Sequence, residues 1–197
     1  MIRFLRKTKL YFFRWYSVLY LRAKHTEFAD VSSVKFNGRC SLKKAKDSEL
    51  TIGKYFTCNS GMDYAIDASV GSKIWIYPDA KLIFGDYSGM SNTAIICSER
   101  IEIGDYVNLG AGCLIVDTNF HSTKWEDRLN WATDAKNTKT APVVIKDGAF
   151  IGARSIILKG VTIGAHSIIA AGSVVNKDVP DNCIAGGNPC RVIGPVE

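Results

Sequence analysis

The chain is poor in what several large functional classes require. It has three histidines, five prolines and no acidic residue before Glu27. Its six cysteines, at 40, 58, 97, 113, 183 and 190, form no C-x-x-C pair and no zinc-ligand spacing, which argues against a structural metal or a dithiol redox centre. No Gly-rich loop of the Walker type is present, so ATP use is not indicated. The apolar run from Leu10 to Leu21 is broken by Arg14 and has no small-residue cleavage site after it, unlike a secretory signal. It is also shorter than the roughly 20 apolar residues that span a bilayer. Thiols that read as reduced point to the cytoplasm.

What is present describes one globular domain. The 197 residues are 47% hydrophobic with a net charge of +6, long enough to bury a core. The charge is not spread evenly. Residues 1–24 hold seven basic side chains and no acid, leaving 18 basic against 19 acidic residues in the rest, a balance of −1. A neutral body with a short, apolar-rich basic arm is a poor match to a nucleic-acid binder.

Repeats settle the architecture. Aliphatic residues recur every sixth position at Ile145, Ile151, Ile157, Ile163, Ile169 and Val175. Two residues before each stands a small or β-branched side chain: Val143, Ala149, Ser155, Val161, Ser167 and Ser173. A period of six fits neither a helix nor a plain strand. It fits a three-sided coil of short strands, with the aliphatic residue inside, the small residue at the corner, and Gly after it (Gly152, Gly164) for backbone freedom. The phase extends back through Ile103-Gly104, Leu109-Gly110 and Ile115, and through Phe84-Gly85, Met90 and Ile96. Between about 36 and 84 it is ragged, which predicts imperfect outer turns. Residues 116–142 break it with a polar segment, the kind of long excursion that tends to be functional.

The stretch from Val143 to Ile193, closing in AGSVVNKDVPDNCIAGGNPCRVI, resembles the hexapeptide-repeat acyltransferases, in particular galactoside, maltose and surface-polysaccharide O-acetyltransferases. The resemblance implies an all-β solenoid, a left-handed parallel β-helix at residues 29–197, to which the residues themselves add a short N-terminal helix and the excursion loop 116–142. It also implies homotrimers with active sites between subunits, and acetyl-CoA as co-substrate. It does not reach residues 1–28.

Acyl transfer to a hydroxyl needs a base, an oxyanion donor and a thioester held close by. His121, in DTNFHS where the excursion leaves the coil, occupies the place of the family's catalytic histidine and suits the role of general base. Asp117 and Asn119 are candidates for holding the acceptor or orienting the imidazole, with turn formation an equal alternative. Trp125, Trp131 and Arg128 follow; aromatic faces suit sugar rings and Arg suits an anion, while loop packing explains them equally well. By resemblance, Ala153 and Ala171 lie along the pantetheine arm, and Asn176, Lys177 and Arg191 lie near the phosphates and nucleotide. His166 reads as a surface residue. The zinc-dependent relatives use three histidine ligands; here one of only three histidines, His25, sits in the N-terminal arm, so no metal is expected.

Residues 2–21 predict a helix with Arg3, Lys7 and Arg14 on one side and Leu5, Phe12, Tyr16 and Leu19 on the other. Two readings stand: a helix resting on the anionic inner face of the membrane near lipid-linked saccharides, or a cap on the open end of the coil. The function expected is sugar O-acetylation in capsule, O-antigen or exopolysaccharide synthesis. The alternatives are an antibiotic or other small-molecule acetyltransferase of the same fold, or a non-catalytic β-helix scaffold.

Overall fold

The computed structural model describes residues 15–61 and 71–197. Three parallel sheets form the sides of a prism. Sheet 1 stacks β1 (Glu27–Phe28), β4 (Glu49–Ile52), β7 (Lys81–Phe84), β10 (Arg100–Ile103), β13 (Val143–Ile145) and β16 (Thr162–Ile163). Sheet 2 stacks β2 (Lys35–Asn37), β5 (Thr57–Asn59), β8 (Gly89–Ser91), β11 (Asn108–Leu109), β14 (Phe150–Ile151), β17 (Ile168–Ile169) and β19 (Cys183–Gly186). Sheet 3 stacks β3 (Ser41–Lys44), β6 (Lys73–Ile76), β9 (Ala94–Cys97), β12 (Leu114–Val116), β15 (Ile156–Ile157) and β18 (Val174–Val175). From β4 to β18 each strand pairs with the strand three earlier in the chain, so the backbone winds once round the prism for each set of three, and β19 then pairs with β17. The final strand, β20 (Arg191–Pro195), turns back antiparallel on β19 and ends the coil.

The six-residue spacing works because parallel register puts like side chains on top of one another. Ile103, Ile145 and Ile163 are stacked in sheet 1, Leu109, Ile151 and Ile169 in sheet 2, and Ile115, Ile157 and Val175 in sheet 3. All nine are buried, giving a continuous apolar column shared between coils. The corner serines are buried too, and their hydroxyls are satisfied by corner carbonyls: Ser155 donates to Gly152, Ser167 to Pro180 and Ser173 to Ala170.

Three sequence expectations need correction. The interior residue of β9 is Ile95, which pairs with Ile115, whereas Ile96 faces outward. The corner before β9 is one residue short, with Asn92 at φ 42°, so the phase slips there. The outer turns are not imperfect in their pairing either: β1 to β6 make two full coils, and the raggedness comes from longer strands and connections between sheets 3 and 1 and from the long connection between β5 and β6, which includes residues 62–70 outside the described set. Finally, Gly after the interior residue is required by close approach rather than by a special φ. A Cβ on Gly152 would lie 2.5 Å from Ala171 N, and one on Gly164 2.3 Å from Asp181 N, closer than van der Waals contact allows.

Between sheets 1 and 2 the left-handed φ falls two positions later, at Tyr55, Tyr87, Tyr106 and His166. Such a conformation costs a non-glycine residue about 1–2 kcal/mol. The three tyrosines offset some of that by stacking, with ring centroids 4.5 and 4.8 Å apart. The same corners are pinned by carboxylates: Asp86 accepts from Lys54 N, Asp105 from Asp86 N, Asp147 from Asp105 N and Asp181 from Ala165 N. Each coil's aspartate thus caps the turn of a neighbouring coil.

Residues 15–22 form a helix, α1, across the N-terminal end of the prism. Ser17, Val18 and Leu21 are buried there, Ser17 Oγ donates to Gly38 O and Tyr20 OH to Leu42 O. The capping reading therefore holds for these residues; the rest of the predicted helix, residues 2–14, lies outside the described set. Among the described residues no helix is long and apolar enough to cross a membrane. None of the six cysteines is in a disulfide.

Candidate active site

The excursion starts at the corner between sheets 3 and 1, directly after β12. Its two stems are zipped together: Thr118 bridges Thr140 antiparallel, Asn119 N donates to Lys139 O, and Ala141 N donates to Asp117 O. Within it lie a turn of 3-10 helix (Asp127–Leu129) and a short helix, α2 (Trp131–Asn137), whose N-terminus is capped by the Asn130 side chain accepting from Ala132 N and Thr133 N. The polar excursion read from the break in the period is thus a folded arm.

Asp117 does not serve as an acceptor contact or an imidazole partner. It is fully buried, and its two carboxylate oxygens accept from the backbone N–H groups of Ser98, Glu99 and Arg100. It caps the corner of the preceding coil, as the aspartates between sheets 1 and 2 do. Burial pushes its carboxyl above the ordinary range despite those three hydrogen bonds, and burial together with Asp117 pushes the neighbouring Cys97 thiol far up. A thiol so raised is an inert core group.

The partner of the imidazole is Asp134, which the sequence did not single out. Phe120 precedes His121 at φ 64°, the left-handed conformation that the corner tyrosines also adopt. His121 is two-thirds exposed, and its Nδ1 lies 2.6 Å from Asp134 Oδ2, on α2. The other oxygen, Oδ1, accepts from Ser122 N at 2.7 Å. Asp134 is nearly buried, and the His121 hydrogen bond first, then that of Ser122, hold its carboxyl below the usual range. An ionised carboxylate at Nδ1 requires the proton there, which leaves Nε2 with a free lone pair. No hydrogen bond from the described residues reaches Nε2. A ring held in this tautomer with Nε2 facing outward is equipped to take a proton from a bound hydroxyl, and the carboxylate behind it stabilises the resulting imidazolium.

Around this pair the arm is braced. Ser122 Oγ donates to Asp127 Oδ2 at 2.6 Å, Arg128 Nη1 donates to Ser122 O at 2.7 Å, and Thr138 Oγ1 donates to Asp134 O at 2.8 Å. Arg128, predicted as an acceptor clamp, thus has one guanidinium nitrogen on the backbone beside the histidine. Asn119 is half-buried and its side chain makes no hydrogen bond among the described residues. Trp125, Leu129 and Trp131 are 59%, 74% and 84% exposed, so packing within the arm does not account for them.

The predicted cofactor residues divide into two groups. Ala153 and Ala171 occupy the same corner, between sheets 2 and 3, in successive coils; Gly172 N donates to Ala153 O. Arg191 opens β20 just above, its Nη1 on Cys190 O, while Cys190 N donates to Val174 O. Asn176 and Lys177 lie exposed at the next corner, between sheets 3 and 1, the edge from which the arm emerges. His121 and the Ala153–Ala171–Arg191 track are therefore on opposite edges of sheet 3. A separate surface concavity of about 380 Å3 on sheet 1, lined by Ile83, Glu102, Val144 and Lys146 among others, includes no predicted site residue. Among the described residues no cluster of His, Cys, Asp or Glu is placed to hold a metal.

Residues 142–177 match the family model described as bacterial transferase hexapeptide (six repeats). Over these residues the chain is similar to the hexapeptide-repeat transferases. It is 33% identical over 133 residues to galactoside O-acetyltransferase of Escherichia coli (strain K12), an alignment covering 64% of this chain and 63% of that one. A second relative, the bifunctional protein GlmU of Brevibacillus brevis, is 33% identical over 60% of this chain but only 25% of its own length. The chain thus spans less than two thirds of these relatives. Among solved structures, a hexapeptide-repeat-containing acetyltransferase of Vibrio cholerae complexed with acetyl coenzyme A superposes with a TM-score of 0.54 at 35% identity, over 59% of this chain and 61% of that one. AntD, an N-acyltransferase from Bacillus cereus in complex with dTDP and 3-hydroxybutyryl-CoA, superposes with a TM-score of 0.66 at 20% identity over 91% and 87%. That last likeness concerns the fold alone, a parallel β-helix of the kind that the family resemblance implies.

Proposed function

We propose that this hexapeptide-repeat protein is an acetyl-CoA-dependent O-acetyltransferase that acts on a sugar hydroxyl, with His121 as general base. The observation that carries the reading is the His121–Asp134 pair on a braced, outward-reaching arm. Nε2 takes the hydroxyl proton as the oxygen attacks the thioester carbonyl. The tetrahedral intermediate then collapses, the carbon–sulfur bond breaks, and the thiolate of coenzyme A takes up the proton from the imidazolium. Relatives with sugar acceptors, among them the galactoside enzyme and an N-acetyltransferase of a dTDP-linked amino sugar that is 49% identical over 53 residues, support a saccharide acceptor, which we assign to the capsule, O-antigen or exopolysaccharide class on the sequence resemblance alone.

Coenzyme A would run along the Ala153–Ala171 corner, where small side chains permit close approach, with Arg191 toward the phosphates. Since that corner and His121 lie on opposite edges of sheet 3, one chain does not bring thioester and base together. A homotrimer does so by setting the arm of one subunit against the corner of the next. The exposed Trp125, Leu129 and Trp131 suit both a neighbouring subunit and a sugar ring, and Lys177 and Asn176 would then border the acceptor side. Asn119, with its amide uncommitted, is the best-placed acceptor contact.

The test is thiol release from acetyl-CoA in the presence of hydroxyl and amino sugars. His121→Ala should fold and assemble normally yet lose on the order of 10²–10⁴ in rate. Turnover near the wild-type level would remove His121 from the mechanism. Acetylation of amino sugars alone would replace the O-acetyl assignment with N-acetyl transfer.

A further inference from the structure

Helix α1 caps the prism with the face opposite to the one the sequence reads as apolar. The residues it buries are Ser17, Val18 and Leu21, whereas Trp15, Tyr16 and Leu19 are 60%, 42% and 61% exposed. On a helix, positions 15, 16 and 19 share a side, and Arg22 and Ala23, also exposed, continue it by one turn. Capping therefore accounts for one side of α1 and leaves a Trp–Tyr–Leu stripe outward. The sequence that leads into and through α1 carries charge of a single sign. Residues 1–24 carry Arg3, Arg6, Lys7, Lys9, Arg14, Arg22 and Lys24 with no acid, while the remainder of the chain is close to neutral.

We propose that the outward face of α1 docks on an anionic lipid bilayer. Trp and Tyr favour the headgroup region, where an apolar ring body and a polar edge are both accommodated. A helix lying in that plane buries its apolar side to the depth of the acyl boundary, and basic residues beside it meet lipid phosphates and carboxylates. Each Lys or Arg near such a surface strengthens binding by about fivefold, so the basic set and the aromatic stripe act together. A protein partner would have to match seven cations without any acid among them; an anionic membrane does so without specific pairing. The docking face is separate from the His121 arm and does not depend on the proposed chemistry.

The experiment uses the full chain and sedimentation with phosphatidylcholine vesicles made with or without phosphatidylserine. Binding should require phosphatidylserine and fall steeply with salt. Trp15→Ser combined with Leu19→Ser should weaken it by at least about tenfold, since each side chain loses its burial in the bilayer. The melting temperature should hold, because neither residue is part of the buried cap. Tyr106→Ser, which removes an equally exposed aromatic from a prism corner, should leave vesicle binding intact. The proposal is overturned by absence of binding to phosphatidylserine vesicles, or by binding that survives the double substitution. It is equally overturned if that substitution dissociates the assembly in analytical ultracentrifugation, which would mean the stripe packs against a second copy. Acetyl transfer to soluble acceptors should be unchanged in the double variant, so failure here and failure of the enzymatic reading are told apart.

Discussion

Replacing Asp134 by Asn tests whether the carboxylate sets the state of His121. Oδ1 of Asp134 accepts from Ser122 N at 2.7 Å, a place only an oxygen can fill, so the new amide must turn its NH2 toward His121 Nδ1, now 2.6 Å away. An NH2 there demands that Nδ1 become an acceptor. The imidazole proton then moves to Nε2, and the lone pair meant for the acceptor hydroxyl is gone. Loss of a positioned general base costs on the order of 10²–10⁴ in rate, and the damage should fall on kcat while KM for acetyl-CoA holds. Stability should drop by only about 1–2 kcal/mol, the worth of one charge-assisted hydrogen bond exchanged for a neutral one. Nitrogen NMR of the imidazole gives a readout independent of acceptor: protonated Nδ1 in the native protein, protonated Nε2 in Asp134→Asn. Combining Asp134→Asn with His121→Ala should cost no more than His121→Ala alone, because both act on one proton. Activity within a few-fold of wild type, or a native imidazole protonated at Nε2, would refute the reasoning.

Further expectations follow from the corners. Asp117→Ala leaves the N–H groups of Ser98, Glu99 and Arg100 without their acceptor, and should lower stability by about 2–4 kcal/mol, read by urea unfolding. Gly152→Ala drives a Cβ to 2.5 Å from Ala171 N and should destabilise by about 1–3 kcal/mol or block assembly. Gly172→Ala, with open space but a φ of 72°, should cost only about 1 kcal/mol. Acid titration of the melting temperature separates the carboxylates by sign. Asp134 and Asp181 are held below the usual range by hydrogen bonds from His121 and Lys146, so their stabilisation is present at neutral pH and lost as pH falls through and below about 3.9. Asp117 is raised by burial, so its folded form holds a proton more tightly; Asp117→Ala should therefore steepen the loss of stability on acidification.

The coil was legible because its signal is one-dimensional. A residue such as Ile157 faces inward whenever its neighbours six away do, and stacking in parallel register turns that period directly into a core. The signal failed at Ile96, where a corner lost a residue and the phase moved by one, and at Gly152, where the need was for room against the next coil. Neither is visible in a single repeat, since both are set by the coil above. His121 was proposed from its place at the break in the period together with the family resemblance. Asp134 was not, because its role depends on α2 folding back over thirteen residues to bring one carboxylate oxygen to Nδ1 and the other to Ser122 N–H.

The mistaken expectation for Asp117 and the missed role of Asp134 have one explanation. In this fold a carboxylate at a corner is first a substitute for the hydrogen bonds that a turning backbone leaves unmade, as at Asp86, Asp105, Asp147 and Asp181. Asp117 does this at the base of the arm, which is why proximity in sequence to the histidine misleads. Asp134 does it too, through Oδ1 and Ser122 N, but the helix that carries it leaves the second oxygen facing a side chain rather than another amide. In the proposed mechanism the histidine is positioned by a structural cap with one oxygen to spare. An Asp134→Asn exchange, whose amide oxygen can still accept from Ser122 N while its NH2 replaces the oxygen that faces the ring, should keep the arm folded by circular dichroism and thermal melting while the imidazole proton moves to Nε2. If the arm unfolds instead, the cap and the base cannot be separated and this account of the site fails.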